Sequence, residues 1–542
     1  MGDTPAARTI IANATVVDGS GAPRYAADVV LANGRIESID APGTHAGAAG
    51  CIDASGLVLS PGFIDMHAHS DLALLHEPGH YAKLSQGVTT ELLGQDGLSY
   101  APVDDAALAG IRQQIAGWNG DPADLDFNWR TVGEYLDRLD VGIAVNAAYL
   151  VPQGTVRAVV CGFGDAPATQ AQLGAQQEMI RAGMEQGAVG MSSGLSYTPG
   201  MYATTAELAQ LCSTVAGAGG FYAPHHRSYG RGALEAYAEM LELSRASGCP
   251  LHLAHATMNF APNKGRAPEL LELIDAAIDD GVDVTLDSYP YLPGATTLSA
   301  ILPGWASAGG TAATMVRLQD PATLARIRHE VEVLGSDGCH GVPAEWETLE
   351  IAGVRNPALE PLVGQTIAGI SEAAGSDPFE VFVDILVRDE LATGILQHVG
   401  HEENVQAIMV HRAHTGGSDG ILVGSKPHPR AWGTFPRYLG HYCRELGLMT
   451  LEETVHHLTG RPARRLKLLR RGLLREGFAA DLVLFDPATV NATATFTQPR
   501  QPAVGIHHVF VNGVPAIAAG LPTGALAGRA LRHTPEGTRS IP

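Results

Sequence analysis

Lysine is nearly missing from this chain of 542 residues: Lys83, Lys264, Lys426 and Lys467 are the only ones. Charged residues together reach 17%. That is below the ~25% of an average protein, so long disordered charged tails are not expected. Basic residues are also outnumbered, 35 against 57, for a formal net charge of −22. A phosphate-backbone binder carries the opposite sign, which argues against nucleic acid as a partner. Cysteine is sparse and scattered: Cys51, Cys161, Cys212, Cys249, Cys339 and Cys443 form no C-x-x-C, so neither a zinc ribbon nor a disulfide framework is indicated. No run approaches the ~18 apolar residues of a membrane span, so no membrane partner is expected. The opening MGDTPAARTIIANATVVDG lacks a basic stretch followed by an apolar one and does not read as a signal peptide. The expectation is a soluble, reduced, cytoplasmic protein.

What is present is apolar material for a large core, 45% of the chain. The length exceeds one ordinary domain, but a closed α/β barrel of ~250 residues with accessory parts fits it. Glycine (64) and proline (33) follow no fixed period, which excludes collagen and implies many tight turns.

Both ends read as β-structure. Residues 8–59 and 477–520 hold short Val- and Ile-rich runs, with hairpin signals at Asn33-Gly34 and at Val511 to Gly513. A β-sandwich assembled from residues 1–60 plus 466–542 is expected. Between them, over 61–465, short apolar runs alternate with helical periodicity, as in VGIAVNAAYLV followed by AQLGAQQEMIRAGMEQ. That alternation predicts parallel strands with crossover helices closed into a barrel. Residues 292–362 break it and are expected to form an inserted subdomain.

The strongest chemical signal is the run from Pro61 to Asp71, where an apolar strand ends in His67-Ala68-His69. Residues two apart on a strand share a side, so both imidazoles converge, and neutral imidazole is the commonest metal ligand. Two more histidine pairs end later strands: His225 and His226, then His252 and His255. One member of each pair should face the barrel mouth, where active sites of this architecture sit. His225 and His255 are favoured, with His226 and His252 read as structural. Asp419, in the turn Gly416-Gly417-Ser418-Asp419-Gly420, is either an Asx-turn residue or a site residue, and the histidines favour the second reading.

With these residues in view, the chain resembles the amidohydrolase superfamily, and in particular its D-aminoacylase (N-acyl-D-amino-acid deacylase) branch. The similarity is carried by GFIDMHAHSD, QGVTTELLGQDGLSYAP, GAVGMSSGLSYTPGMYATTAEL, DVTLDSYPY, GGSDG, PHPRAWGTFPR and AADLVLFDP. It implies a (β/α)8 barrel with a β-sandwich, metal ligands at His67, His69, His225 and His255, and a catalytic aspartate at Asp419. It also implies zinc, with one tightly held and one weaker site. Arg430 corresponds to an arginine that grips the substrate carboxylate, and Tyr197 and Tyr289 to substrate-contacting tyrosines. Two departures stand out. Where the family has Gly-Asn-Cys-Gly, with cysteine as a ligand, this chain has Gly94-Gln95-Asp96-Gly97. Asp96 would supply oxygen in place of sulfur, which opens the site to Mn2+ or Fe2+ as well as to one or two Zn2+. Where the family has a lysine two residues after the later histidine, this chain has Thr257. No lysine lies between Lys83 and Lys264, so a carboxylated lysine bridging two metals from the fourth strand is excluded.

The expected activity is metal-dependent hydrolysis of a linear amide, N-acyl-D-amino acid to carboxylate plus D-amino acid, with Asp419 as general base and then acid. The alternatives are another amide, lactam or cyclic imide hydrolase on the same scaffold and, more remotely, a non-catalytic metal-binding structural protein. The expected partner is a small-molecule substrate, and a homo-oligomer is compatible with the reading.

Overall fold

The computed structural model describes residues 8–45, 47–48 and 50–541. Residues 1–7 of the expected amino-terminal β-region lie outside the described residues.

Eight parallel strands form the centre: Phe63–Asp65, Val88–Leu93, Asn146–Pro152, Gly190–Gly194, Phe221–His225, Leu251–Leu253, Val284–Ser288 and His414–Gly416. They lie side by side in sequence order. The strands VTTELL and NAAYLVP are buried at every position, as strands covered on both faces must be. The ring closes through the segments just beyond its first and last strands. Met66 N–H donates to Gly416 O at 3.1 Å and Asp419 N–H to His67 O at 2.8 Å. Closure therefore places the Asp419 turn directly against the His-x-His segment. Helices on the outside start where the sequence supplies caps. Thr131 with Glu134, and Thr169 with Gln172, form reciprocal capping boxes for helices Val132–Asp140 and Gln170–Glu185.

The two ends of the chain meet in a nine-stranded sheet. Val58–Pro61 pairs antiparallel with Leu482–Phe485, joining the amino-terminal strands to the carboxy-terminal ones. Both Asn-Gly turns lie in this sheet, with Asn33, Gly34, Asn512 and Gly513 all at positive φ, as a tight hairpin turn requires. The sheet folds back on itself, since Arg35 of its edge strand bridges Ala479 just before Leu482–Phe485. Pairing runs continuously through one sheet, whose apolar face covers Ile11, Val29, Leu59, Leu482 and Phe510. The last hairpin, Leu531–Thr534 with Gly537–Ser540, leaves this sheet and returns to the barrel, where Ala530 bridges Ala147 of the third strand.

The inserted subdomain begins near the expected place but continues further. Strands Gly294–Thr297, Leu349–Gly353 and Gly394–Gln397 make a three-stranded antiparallel sheet. A separate core containing Leu298, Trp346, Phe382 and Ile395 lies with it. The helices Ile367–Ala374 and Pro378–Arg388 pack into that core and not against the barrel. Their amphipathic periodicity matches that of a barrel helix, because periodicity reports that a face is covered without saying by what. No described helix is long and apolar enough to cross a membrane.

Candidate metal centre

Four barrel positions deliver imidazoles to one point. His67 and His69 follow the first strand, His225 ends the fifth, and His255 follows the sixth. Asp96 sits among them on the turn after the second strand, at φ 54°, with both neighbouring glycines also at positive φ. That turn presses onto the fourth strand so closely that a Cβ on Gly194 would collide with Asp96 O, which accounts for glycine there. Asp96 Oδ1 is 3.5 Å from His67 Nε2 and 3.4 Å from His255 Nε2. Its Oδ2 is 3.5 Å from His69 Nε2 and 3.8 Å from His225 Nδ1.

Two ligand-competent groups result, and Asp96 belongs to both. One is His67, His69, Asp96 and Asp419; the other is Asp96, His225 and His255. Within each group one donor atom per residue lies within 4.8 Å of the others, and all are buried. Asp419 Oδ1 is 3.1 Å from His69 Nε2. Gly417, two residues earlier, allows this approach: a Cβ there would lie 2.5 Å from Asp287 Oδ1 and 2.9 Å from His67 Cβ.

The donor set fits a divalent cation. Both ring nitrogens of His67 and Asp96 Oδ1 are buried without a hydrogen-bond partner, an arrangement that is costly unless something charged completes it. Burial alone lowers the basicity of His67, yet Asp96, Asp287 and Asp419 outweigh it and hold the ring well above its ordinary pKa. The site therefore favours added positive charge. His225 Nδ1 and His255 Nε2 approach to 3.0 Å, so two lone pairs converge there when both rings are neutral and carry their protons on the far nitrogens. Those far nitrogens are held: His225 Nε2 by Ser196 Oγ at 2.6 Å and His255 Nδ1 by the Tyr229 hydroxyl at 3.0 Å. Imidazole with carboxylate oxygen suits zinc, and equally manganese or iron.

The two residues read as structural lie apart from the cluster. His252 binds Asp287 Oδ2 at 3.0 Å and Thr285 Oγ1 at 2.8 Å. His226 is sandwiched between Tyr229 and Tyr237 with ring centroids at 4.1 and 4.0 Å.

A cavity of about 70 Å³ opens onto the cluster, with Tyr197 and Tyr289 in its walls. The Tyr197 hydroxyl meets Thr296 Oγ1 at 2.9 Å. Arg430 stands differently from its expected place. It is fully buried behind Asp419, with NH2 2.8 Å from Asp419 Oδ2 and its guanidinium 4.4 Å from the Tyr289 ring centroid. None of its side-chain nitrogens makes a well-aligned hydrogen bond. The larger cleft of about 1410 Å³ around Arg464, Lys467 and Arg470 contains none of these residues.

Sequence reasoning passed over Asp287. Its Oδ1 accepts the His255 N–H at 3.0 Å, its Oδ2 binds His252, and the same oxygen is 3.6 Å from His67 Nδ1. It is the next-to-last residue of the seventh strand, within DVTLDSYPY, and its place near a strand end was the available signal. His340 was also missed. It enters the cavity wall from the inserted subdomain, a region without periodic pattern.

Comparison with known proteins accords with this geometry. The model of the amidohydrolase family matches residues 50–517. D-aminoacylase of Alcaligenes xylosoxydans xylosoxydans is 35% identical over 533 residues, 97% of each chain. A solved structure of D-aminoacylase, described with a binuclear metal centre, has a TM-score of 0.81 at 33% identity, covering 97% of this chain and 99% of that one. N-acyl-D-glutamate deacylase from Bordetella bronchiseptica, solved with zinc and a phosphonate mimic of the tetrahedral intermediate, also has a TM-score of 0.81, at 32% identity and the same coverage.

Proposed function

The chain belongs to the amidohydrolase family, and from that premise we infer that it hydrolyses the amide bond of N-acyl-D-amino acids, releasing a carboxylate and a D-amino acid. The observation that carries the reading is the meeting of two histidine pairs on one carboxylate, Asp96, with a second carboxylate, Asp419, against it.

His67, His69, Asp96, His225 and His255 are the residues that would hold the cation. When bound, a divalent cation supplies polarisation of the scissile carbonyl and acidification of water. The remaining work falls to side chains. Asp419 accepts a proton from the attacking water as the new C–O bond forms, then gives it to the amide nitrogen as the C–N bond breaks. Burial opposes the charged form of Asp419, but Arg430 and the nearby histidines hold it ionised, below the usual carboxylate range, so it starts as a base. Ser196 and Tyr229 fix the orientation of His225 and His255. Arg430, behind Asp419 and not in the cavity wall, acts on the reaction by keeping Asp419 ionised, while Tyr197 and Tyr289 shape the wall that meets the substrate.

The test is amino-acid release from matched N-acetyl-D- and N-acetyl-L-amino acids, together with metal analysis of the purified protein. Release from the D series, lost on chelation and restored by a divalent metal, is expected. Turnover confined to the L series, or to cyclic amides, would replace this reading.

A further inference from the structure

The cleft of about 1410 Å³ lies on the face of the barrel away from the metal cluster. Helix Thr205–Gly217 ends in its wall, ahead of the fifth strand, and that strand delivers His225 at its far end. Residues 467–471 and the last hairpin form other parts of the wall. Its lysines and arginines are Arg181, Arg464, Lys467, Arg470, Arg471 and Arg475, against the acids Glu185 and Glu536. The chain as a whole has the opposite balance, 57 acidic residues to 35 basic ones. Arg181 is engaged by Glu178, Arg471 by Asp481, and Lys467 donates to Gly219 O at 2.8 Å. The guanidinium groups of Arg464, Arg470 and Arg475 have no hydrogen-bond, ion-pair or aromatic partner among the described residues. Of the other described arginines only Arg138 shares that state, and it lies outside the cleft. Helix capping does not account for the three. Lys467 and His533, the latter 3.2 Å from Ala218 O, already serve the carbonyls where helix Thr205–Gly217 ends. Lys467 and Arg470 also hold left-handed backbone, at φ 51° and 57°, a conformation uncommon for such residues and enriched where ligands are clamped.

We propose that this cleft is a binding site, separate from the hydrolytic centre, for a small soluble polyanion that carries two or more phosphoryl groups. Guanidinium is a planar fork of donors that meets phosphate oxygens two at a time and gives up water more readily than an ammonium does. Each phosphoryl group brings about 1.5–2 negative charges at neutral pH, so two of them balance the three unpaired guanidiniums. A cleft walled by one sign of charge gathers ions of the other, and here it does so on a chain whose net charge repels them. Leu469, Leu473 and Phe478 in the same wall suit the carbon skeleton that joins the phosphoryl groups. A ligand held there would bind the folded chain alone, and so would raise its stability.

The experiment titrates the full-length, metal-loaded protein with fructose bisphosphate in a calorimeter at low salt. The phosphoryl groups of this probe sit at opposite ends of the molecule, so it does not chelate the bound metal. Saturable binding and a raised melting temperature are expected, and inorganic phosphate should bind at least about tenfold more weakly. The variant combining Arg464→Ser, Arg470→Asn and Arg475→Ser should weaken the bisphosphate by at least about tenfold. Asn is chosen at the second position because it tolerates left-handed backbone. If that variant does not fold, Arg464→Ser and Arg475→Ser should each weaken binding by about threefold or more. Arg138→Ser removes the unpaired guanidinium outside the cleft and should leave affinity at the parent's level. Absence of saturable binding overturns the proposal. So does equal binding by the parent and the cleft variants, which would put the probe at the metal centre or elsewhere. An equal loss in Arg138→Ser would reduce the effect to net charge and overturn it too. Equal affinity for phosphate and bisphosphate overturns the assignment to a ligand with two phosphoryl groups.

Discussion

Lys83 and Ser418 meet at 2.8 Å inside the barrel wall, 335 residues apart in sequence. Both are fully buried. The same ammonium binds Asp65 Oδ2 at 2.6 Å and Glu91 Oε1 at 2.9 Å. Asp65 Oδ1 in turn accepts the backbone N–H of His67 at 3.2 Å and of Ser418 at 2.8 Å. One buried cation thus ties the turn that carries Asp419 to the segment that carries His67 and His69.

Removing that cation leaves Asp65 with backbone N–H donors but no positive partner, and Glu91 with His80 in place of His80 and Lys83 together. Lys83→Met should therefore destabilise the protein by about 3–5 kcal/mol, the range seen when one member of a buried pair is lost. Denaturant unfolding of the metal-loaded variant against the parent measures it. A midpoint equal to the parent's would show that the network contributes no stability.

Asp419→Ala removes the proposed proton carrier and leaves the four histidines and Asp96 in place. Turnover should fall by about 10²–10⁴, the usual contribution of a positioned acid–base group. Metal content after dialysis should stay at the parent's level. Near-normal kcat would remove Asp419 from proton transfer, and loss of metal in parallel would make it a ligand first.

Much of this site was legible in the sequence because strand ends carry their own punctuation. His67, His69, His225 and His255 each follow an apolar run at the point where a barrel strand stops. Parallel barrel strands bring such points to one mouth, so spacing along the chain becomes proximity in space. Three things were not legible. Arg430 begins the helix Arg430–Arg437, and position in sequence does not say that its side chain lies behind Asp419. Asp287 reads locally as one more turn aspartate, and only the fold shows it under three histidines at once. The extent of the inserted subdomain escaped for a related reason: the helix Pro378–Arg388 has the face of a barrel helix and packs on a different core.

Asp96 is shared by both ligand groups, so its loss should affect both. Asp96→Ala is expected to reduce bound metal per chain, read by elemental analysis after equilibrium dialysis. Asp96→Cys should shift preference towards zinc over manganese, because thiolate is the softer donor. Stoichiometry and preference identical to the parent's in both variants would show that this carboxylate is not a ligand.

Asp287→Asn keeps the shape and removes the charge beneath His67, His252 and His255. Groups that orient ligand histidines typically contribute 10–100-fold to metal affinity or activity, and a loss of about that size is expected. Competition with a metal indicator measures the affinity, and circular dichroism checks that the fold persists. Unchanged affinity would confine Asp287 to packing.

Acid should destabilise this fold well before its carboxylates protonate. Burial is the main cause holding five histidines below their ordinary pKa: His226, His414 and His428 well below it, His340 at about 3 and His457 at about 4. In the unfolded chain each takes a proton near pH 6.5. Below that pH the unfolded state binds protons that the folded state refuses, so stability falls as pH falls. Each such group steepens the loss by about 1.4 kcal/mol per pH unit until its folded pKa is reached. His67 works in the opposite direction in the metal-free chain: against its burial, Asp96, Asp287 and Asp419 raise its basicity. His69 is raised too, by Asp419 and Asp96 against its own burial, so two groups oppose these five. Glu91, held at about 2 by His80 and Lys83 against its own burial, adds a further loss below about pH 4.5. Thermal unfolding in the presence of a chelator, measured from pH 8 to pH 4, separates this effect from metal release. Melting temperature should hold from pH 8 to about 6.5 and then drop with increasing slope; a profile flat to pH 4.5 would mean that these histidines are protonated in the folded state or exposed to water.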